Sequence, residues 1–225
     1  MGNFQPENLF DADLAIRSFP YVIQGLGLTM LISVVGMIVG LILGLFLALG
    51  RMSKVKMLRW PARLYISFMR GTPILVFLYI LYFGLPMAGI EFSAITAALI
   101  GFSLNSAAYM AEIQRSALSS IEKGQWEAST ALGMSYWRTM KEVILPQATR
   151  IAIPPLSNVM LDLIKASSLA AVITVPELLH HAQRVGGREF DFMTLYILVA
   201  FIYWGVCVAV SFIQELLEKR YYYVN

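Results

Sequence analysis

The sequence predicts an all-α integral membrane protein of about five transmembrane helices, and three observations carry that prediction. The first is composition. Of 225 residues, 58% are hydrophobic and 14% charged, where soluble domains run at roughly 45–50% apolar and about a quarter charged. Mean hydropathy is +0.68. The second is spacing. No Asp, Glu, Lys or Arg falls between Arg17 and Arg51, Arg70 and Glu91, Glu91 and Glu112, or Asp191 and Glu215. Each gap is about 20 residues or more, the length a helix needs to cross ~30 Å of hydrocarbon. A helix satisfies its own backbone groups there, which an open strand cannot do. The third is the uneven placement of basic residues among the connecting loops, as multi-span membrane proteins require.

The chain is read as a segment 1–19, a transmembrane domain 20–217 and a tail 218–225. Segment 1–19 lacks a basic run, carries Glu7, Asp11 and Asp13 and precedes no small-residue cleavage site. The first span is therefore expected to stay as an anchor. That span, 20–50, has Gly36, Gly40 and Gly44 at four-residue spacing, which suits close packing against another helix. The second span, 64–85, carries Arg70-Gly71-Thr72-Pro73, where a kink is expected. The third is 92–111. The fourth, 151–175, is expected to be interrupted and ends at Val175-Pro176-Glu177. The fifth, 192–217, contains Cys207, the single cysteine, which packs as a small apolar residue.

Orientation follows from charge. One set of loops holds Arg51, Lys54, Lys56, Arg59, Arg63, Arg115, Lys123, Arg138, Lys141, Arg150, Lys219 and Arg220; the other holds Arg17, Lys165, Arg184 and Arg188. Lys and Arg favour the cytoplasmic side, so the N-terminus is expected outside and the C-terminus inside. Trp60, Tyr65, Trp204 and Tyr221–Tyr223 suit aromatic positions near span ends.

The stretch 125–146 is the longest polar passage, and this orientation puts it in the cytoplasm. Ser119 and Glu122 have capping-box spacing, which predicts a helix starting there. Gly133 suits a left-handed C-terminal position. Ser135 is expected to cap a second helix that Pro146 ends. Patterning alone leaves two readings open: a surface hairpin with no partner, or a docking element.

The stretch resembles the EAA loop of ABC importer permeases: Glu-Ala-Ala, three residues, Gly, nine residues, Ile-x-Leu-Pro. Glu127, Ala128, Gly133, Leu145 and Pro146 match at the right spacing, with Ser129 for the second Ala and Val143 for Ile. Arg70–Pro73, Asn105–Tyr109, Gly124–Ala128, Leu145–Ala148, Pro154–Asn158 and Lys165–Leu169 look like the permeases of polar amino-acid importers. Ser119–Ala128 and Tyr203-Trp204 look most like the cystine-importing branch. The resemblance implies a type I importer fold in the bacterial inner membrane, with loop 119–146 as the coupling hairpin. It implies coupling roles for Glu127, Ala128, Gly133, Leu145 and Pro146. The implied partners are two copies of an ATP-binding subunit, an extracytoplasmic solute-binding protein and a second permease copy, a homodimer in preference to a heterodimer. ATP and Mg would bind the partner; no cofactor, metal or catalytic residue is expected in this chain.

Polar residues within a bilayer are costly, so each is a candidate site. On the third span Gly101, Asn105, Tyr109, Glu112 and Ser116 fall on one helical stripe. They read either as a wall of the solute pathway or as interhelical glue, with Glu112 paired to Arg115. Arg70 reads as an interfacial anchor or a contact for a carboxylate. Asp162 and Lys165 have ion-pair spacing, while Lys165, Ser167 and Ser168 stand where a broken helix could present polar groups to a solute. His180, His181, Arg184 and Arg188 are expected on a helix of the outer loop that faces the binding protein; adjacent histidines share no helical face, which argues against a metal site. A self-contained secondary transporter or channel is the competing reading, but no inverted repeat or set of buried carboxylates supports it. No Ser/His/Asp set or HExxH motif supports a membrane enzyme.

Overall fold

Asp11 opens the first helix: its side chain accepts from the Leu14 N–H at 2.9 Å, a standard N-cap. The computed structural model describes residues 10–222. The first nine residues of segment 1–19, including Glu7, and residues 223–225 of the tail, including Tyr223, lie outside the described residues. The helix starts at Ala12, ahead of the expected 20, and runs as α1 (Ala12–Val22), a 3₁₀ turn (Ile23–Gly25) and α2 (Leu26–Met52). Pro20 sits inside it; the Gln24 side chain donates to the Pro20 carbonyl at 3.2 Å.

The expected kink is real. Helix α3 (Lys56–Gly71) stops at Thr72, and α4 (Ile74–Tyr79) starts after Pro73, continuing as a π-turn (Ile80–Gly84) and a 3₁₀ turn (Leu85–Ala88). The third span is α5 (Ala94–Ser119), longer than expected. Short helices α6 (Lys123–Ala131) and α7 (Tyr136–Thr139) follow, then a π-turn (Met140–Ile144), α8 (Leu145–Ala166) and a 3₁₀ stretch (Ser167–Ile173). Helices α9 (Leu178–Glu189) and α10 (Phe192–Tyr222) complete the described residues. Among the described residues four helical stretches are long and apolar enough to cross a membrane, five if the broken pair at Thr72–Pro73 counts as one span.

The fourth span is corrected in two respects. The helical stretch that carries it begins at Tyr136, well before the expected 151, and it is not interrupted at Ser167 but tightens there from α to 3₁₀. The hydroxyls of Ser167 and Ser168 donate to the carbonyls of Ile164 and Lys165, three residues back, a spacing compatible with the tighter pitch.

The chain forms two units. One comprises residues up to Gly36, Ile74–Phe102 and Leu161–Ser211. Its core joins Leu14 and Val22 of α1, Leu178, Ala182 and Val185 of α9, and Leu195, Val199 and Ile202 of α10. Gly25 is required there: a Cβ would lie 2.4 Å from the Glu177 carbonyl carbon. The other comprises Met37–Pro73, Ser103–Met160 and the chain from Phe212. In it the expected glycine packing is present. A Cβ on Gly40 would meet Ser106 Oγ at 2.4 Å, and one on Gly44 would meet the backbone of Ala111 and Ala107 at 3.0 and 3.1 Å. Small residues let the two backbones approach, and close van der Waals contact is what holds helices together in lipid.

Candidate functional site

The hairpin of the second unit differs from expectation at both ends. The Ser119–Glu122 capping box does not form: α5 runs through Ser119, and α6 starts at Lys123 without a side-chain cap. Ala117, Leu118 and Ile121 are buried against Ile144, Ala148 and Ala152, and this burial keeps Ser119 helical where a cap must be extended. Nor does Pro146 end the second helix, which continues into α8. The Leu145 N–H reaches back to the Met140 carbonyl across the π-turn. This widened turn makes room for the proline ring against the carbonyl four residues earlier, the usual source of a clash.

Between those ends the expectations hold. Gly133 is left-handed, with φ +74. Its N–H donates to the Thr130 carbonyl at 2.9 Å, and the Met134 N–H to the Ser129 carbonyl at 3.0 Å. This pair of bonds is the Schellman motif. Ser135 then caps α7, accepting from the Arg138 N–H. Trp126 stacks on Tyr136 at 5.6 Å, and Gln147 donates to Gln125 at 3.1 Å across the hairpin. Glu127, Ala128, Gly133, Leu145 and Pro146 are all exposed. Beside them Leu132 and Trp137 are 81% and 78% exposed.

The polar stripe of α5 is only partly available to a solute. Gly101 is buried against Leu78 in the first unit. In the second unit the Asn105 amide donates to the Met69 carbonyl at 3.0 Å. Pro73, four residues after Met69, has no N–H to offer that carbonyl, so Asn105 supplies the missing donor and joins α5 to α3. Glu112 bonds Arg115, as expected, and also Arg51, both at 2.5 Å. The Arg51 contact links residues 61 apart, and no local pattern announces it. Arg70 lies over the Tyr109 ring, 5.7 Å from its centroid. Arg51, Arg63, Ile66, Ser67, Arg70, Gly71 and Tyr109 line a pocket of about 700 Å³.

Asn105→Leu should therefore cost assembly. It strands a carbonyl in a part-buried contact, worth roughly 1–2 kcal/mol, so detergent-extracted protein should melt lower. An unchanged melting temperature would show the bond carries no weight.

In the first unit Lys165 and Asp162 form an exposed ion pair at 2.9 Å. Ser167 is fully buried and Ser168 half-buried; both hydroxyls donate to nearby carbonyls. The helix expected between the fourth and fifth spans exists as α9. Its N-cap is Glu177, completely buried, which accepts from the His180 N–H at 2.8 Å and from the Tyr203 hydroxyl at 2.5 Å. Burial pushes this carboxyl above its ordinary pKa, against the opposing pull of those donors. Burial likewise lowers His180 and His181, helped by the nearby Arg184 cation, and His181 lies edge-on to Tyr21 at 4.7 Å. The capping role of Glu177 was missed from sequence; its only signal is an acidic residue right after a proline and right before two leucines.

Comparison with known proteins agrees with this architecture. Residues 40–222 match the family described as binding-protein-dependent transport system inner membrane component. A probable amino-acid ABC transporter permease of Bacillus subtilis (strain 168), YckA, is 67% identical over 221 residues, 98% of each chain. The L-cystine transport system permease TcyB of the same organism is 45% identical, covering 92% of this chain and 90% of its own. A crystal structure of an amino acid ABC transporter with histidines superposes with a TM-score of 0.86 at 34% identity, covering 91% of this chain and 96% of that one. The chain belongs to the binding-protein-dependent transport system inner membrane components, among their amino-acid ABC transporter permeases.

Proposed function

We propose that this chain, as a membrane component of a binding-protein-dependent importer, carries L-cystine inward at the expense of ATP hydrolysed by a partner. The N-terminus faces outward and the C-terminus inward in the bacterial inner membrane. Two ATP-binding subunits, which hold the ATP and Mg, grip the α6–α7 hairpins of two identical copies of this chain. A solute-binding protein delivers cystine on the opposite side, beside α9. The observation that carries the reading is the exposed hairpin turned by Gly133, with Glu127, Ala128, Leu145 and Pro146 on its surface and Leu132 and Trp137 free to be covered. An exposed apolar patch framed by polar residues is what a docking site offers.

Within the first unit, the solute contacts the exposed Asp162–Lys165 pair and the half-buried Ser168. Each end of cystine is a zwitterion. Its carboxylate replaces Asp162 at the Lys165 ammonium, and its own ammonium takes the Asp162 carboxylate, so the exchange leaves no charge unpaired. The 45% identity to a cystine permease supports that choice of solute.

The test is labelled cystine uptake in cells stripped of their own cystine importers, expressing this chain with its ATP-binding subunit and binding protein. Uptake should require ATP, yield to excess cystine but not to arginine or glutamine, and fall at least tenfold in Lys165→Met. Uptake that survives ATP depletion would overturn the coupling. ATP-dependent uptake of another amino acid alone would overturn the solute.

A further inference from the structure

The pocket beside Tyr109 gathers more positive charge than its ion pairs among the described residues neutralise. Arg51, Arg63 and Arg70 line it, and Arg115 stands behind Glu112. Four guanidiniums face one carboxylate, a formal charge of +3. Among the described residues, Arg63 and Arg70 lie within ion-pair distance of no carboxylate. One turn before Arg63, the Arg59 Nε is buried with no hydrogen-bond partner. A row of guanidiniums this short of acceptors fits an oxyanion with several oxygens.

The surroundings say which oxyanion. Helix α3 has three faces. Ala62, Ile66 and Met69 are buried, and Arg59, Arg63 and Arg70 follow one another at four- and seven-residue spacing on the cationic face. On the third, Trp60, Leu64 and Phe68 are 65%, 71% and 52% exposed at four-residue intervals, a continuous apolar stripe. A cation cluster bordered by an exposed aliphatic and aromatic stripe on the same membrane helix matches one molecule in both halves: a phosphate with acyl chains attached. A free anion would use the first and leave the second uncovered.

We infer that this pocket binds the phosphate of an anionic phospholipid through Arg51, Arg63 and Arg70, with an acyl chain along Trp60, Leu64 and Phe68. Tyr109 closes the pocket under Arg70. The site shares no residue with the solute contacts proposed above.

The full chain, purified in neutral detergent, is titrated with phosphatidylglycerol or with phosphatidylcholine of the same chain length, and bound lipid is counted by native mass spectrometry. Phosphatidylglycerol should bind in preference. Arg63→Gln should weaken it about fivefold, the worth of one basic residue near a lipid phosphate; Arg63→Lys should keep most of it. Ser67→Glu, which puts a carboxylate into the pocket, should weaken it at least as much, and Arg188→Gln in the other unit should leave it unchanged. Equal binding of the two lipids would overturn the inference, as would undiminished binding in both Arg63→Gln and Ser67→Glu. Displacement of the lipid by millimolar inorganic phosphate would assign the pocket to a free anion, and displacement by cystine would assign it to the solute; either result sinks the lipid.

Discussion

Gly133→Pro is expected to abolish uptake, to below a hundredth of the wild-type rate, while the protein still inserts in the membrane. Proline fixes φ near −65°, whereas Gly133 needs +74. The substitution also removes the N–H that bonds the Thr130 carbonyl. Both halves of the Schellman turn are lost, α6 no longer folds back toward α7, and the Trp126–Tyr136 stack separates. The apolar core of the spans is untouched, so the membrane-inserted yield should hold. Uptake in cells and the amount of membrane-extracted protein are the two measurements. Gly133→Ala is the graded control: a left-handed alanine costs about 1 kcal/mol, and no atom lies within 4 Å of the added Cβ, so uptake should fall only partly. Wild-type uptake in the proline variant would remove the hairpin from the mechanism.

Gly44→Val should be the most damaging change to the second unit. The added Cβ would lie 3.0 Å from the Ala111 nitrogen and 3.1 Å from the Ala107 oxygen. These are backbone atoms, so no rotamer relieves the contact and the helices must part. Overpacking of this kind costs roughly 1–3 kcal/mol, and the branched side chain adds more. A melting temperature several degrees lower in detergent, or loss of folded protein, is expected. Gly27→Ala is the matched control, because nothing lies within 4 Å of its Cβ. Equal melting of Gly44→Val and wild type would mean that the close approach of α2 to α5 contributes little.

What could be read from the sequence was what the bilayer or a single residue's backbone dictates. Long gaps between charges mark helices because hydrocarbon tolerates little else. Thr72-Pro73 marks a break and Gly133 a left-handed turn because proline and glycine have few alternatives and many, respectively. The misreadings arose where tertiary contacts decide. The Ser119–Glu122 spacing was a sound local signal, overruled by burial of Leu118 and Ile121 on the far side of the same turn. Pro146 was expected to stop a helix, but a π-turn one step earlier accommodates it, and such a turn has no compositional mark. Of the candidate site residues, the coupling group is exposed on one unit. Asn105 and Glu112 proved to be engaged with the Met69 carbonyl and with Arg51. A backbone carbonyl can belong to any residue, and a guanidinium 61 positions away leaves no trace in local spacing.

The cap at Glu177 has a consequence for how the protein is made. Its carboxylate is fully buried, and one of its donors, Tyr203, lies 26 residues further along the chain. A buried acceptor left without its donor costs about 1–3 kcal/mol. While the ribosome is still adding residues short of 203, α9 lacks that donor, so its seating on Gly25 waits for the first turns of the last helix. Helix α9 is thus completed late in synthesis, and a nascent chain arrested before Tyr203 should present it to proteases that the finished protein resists.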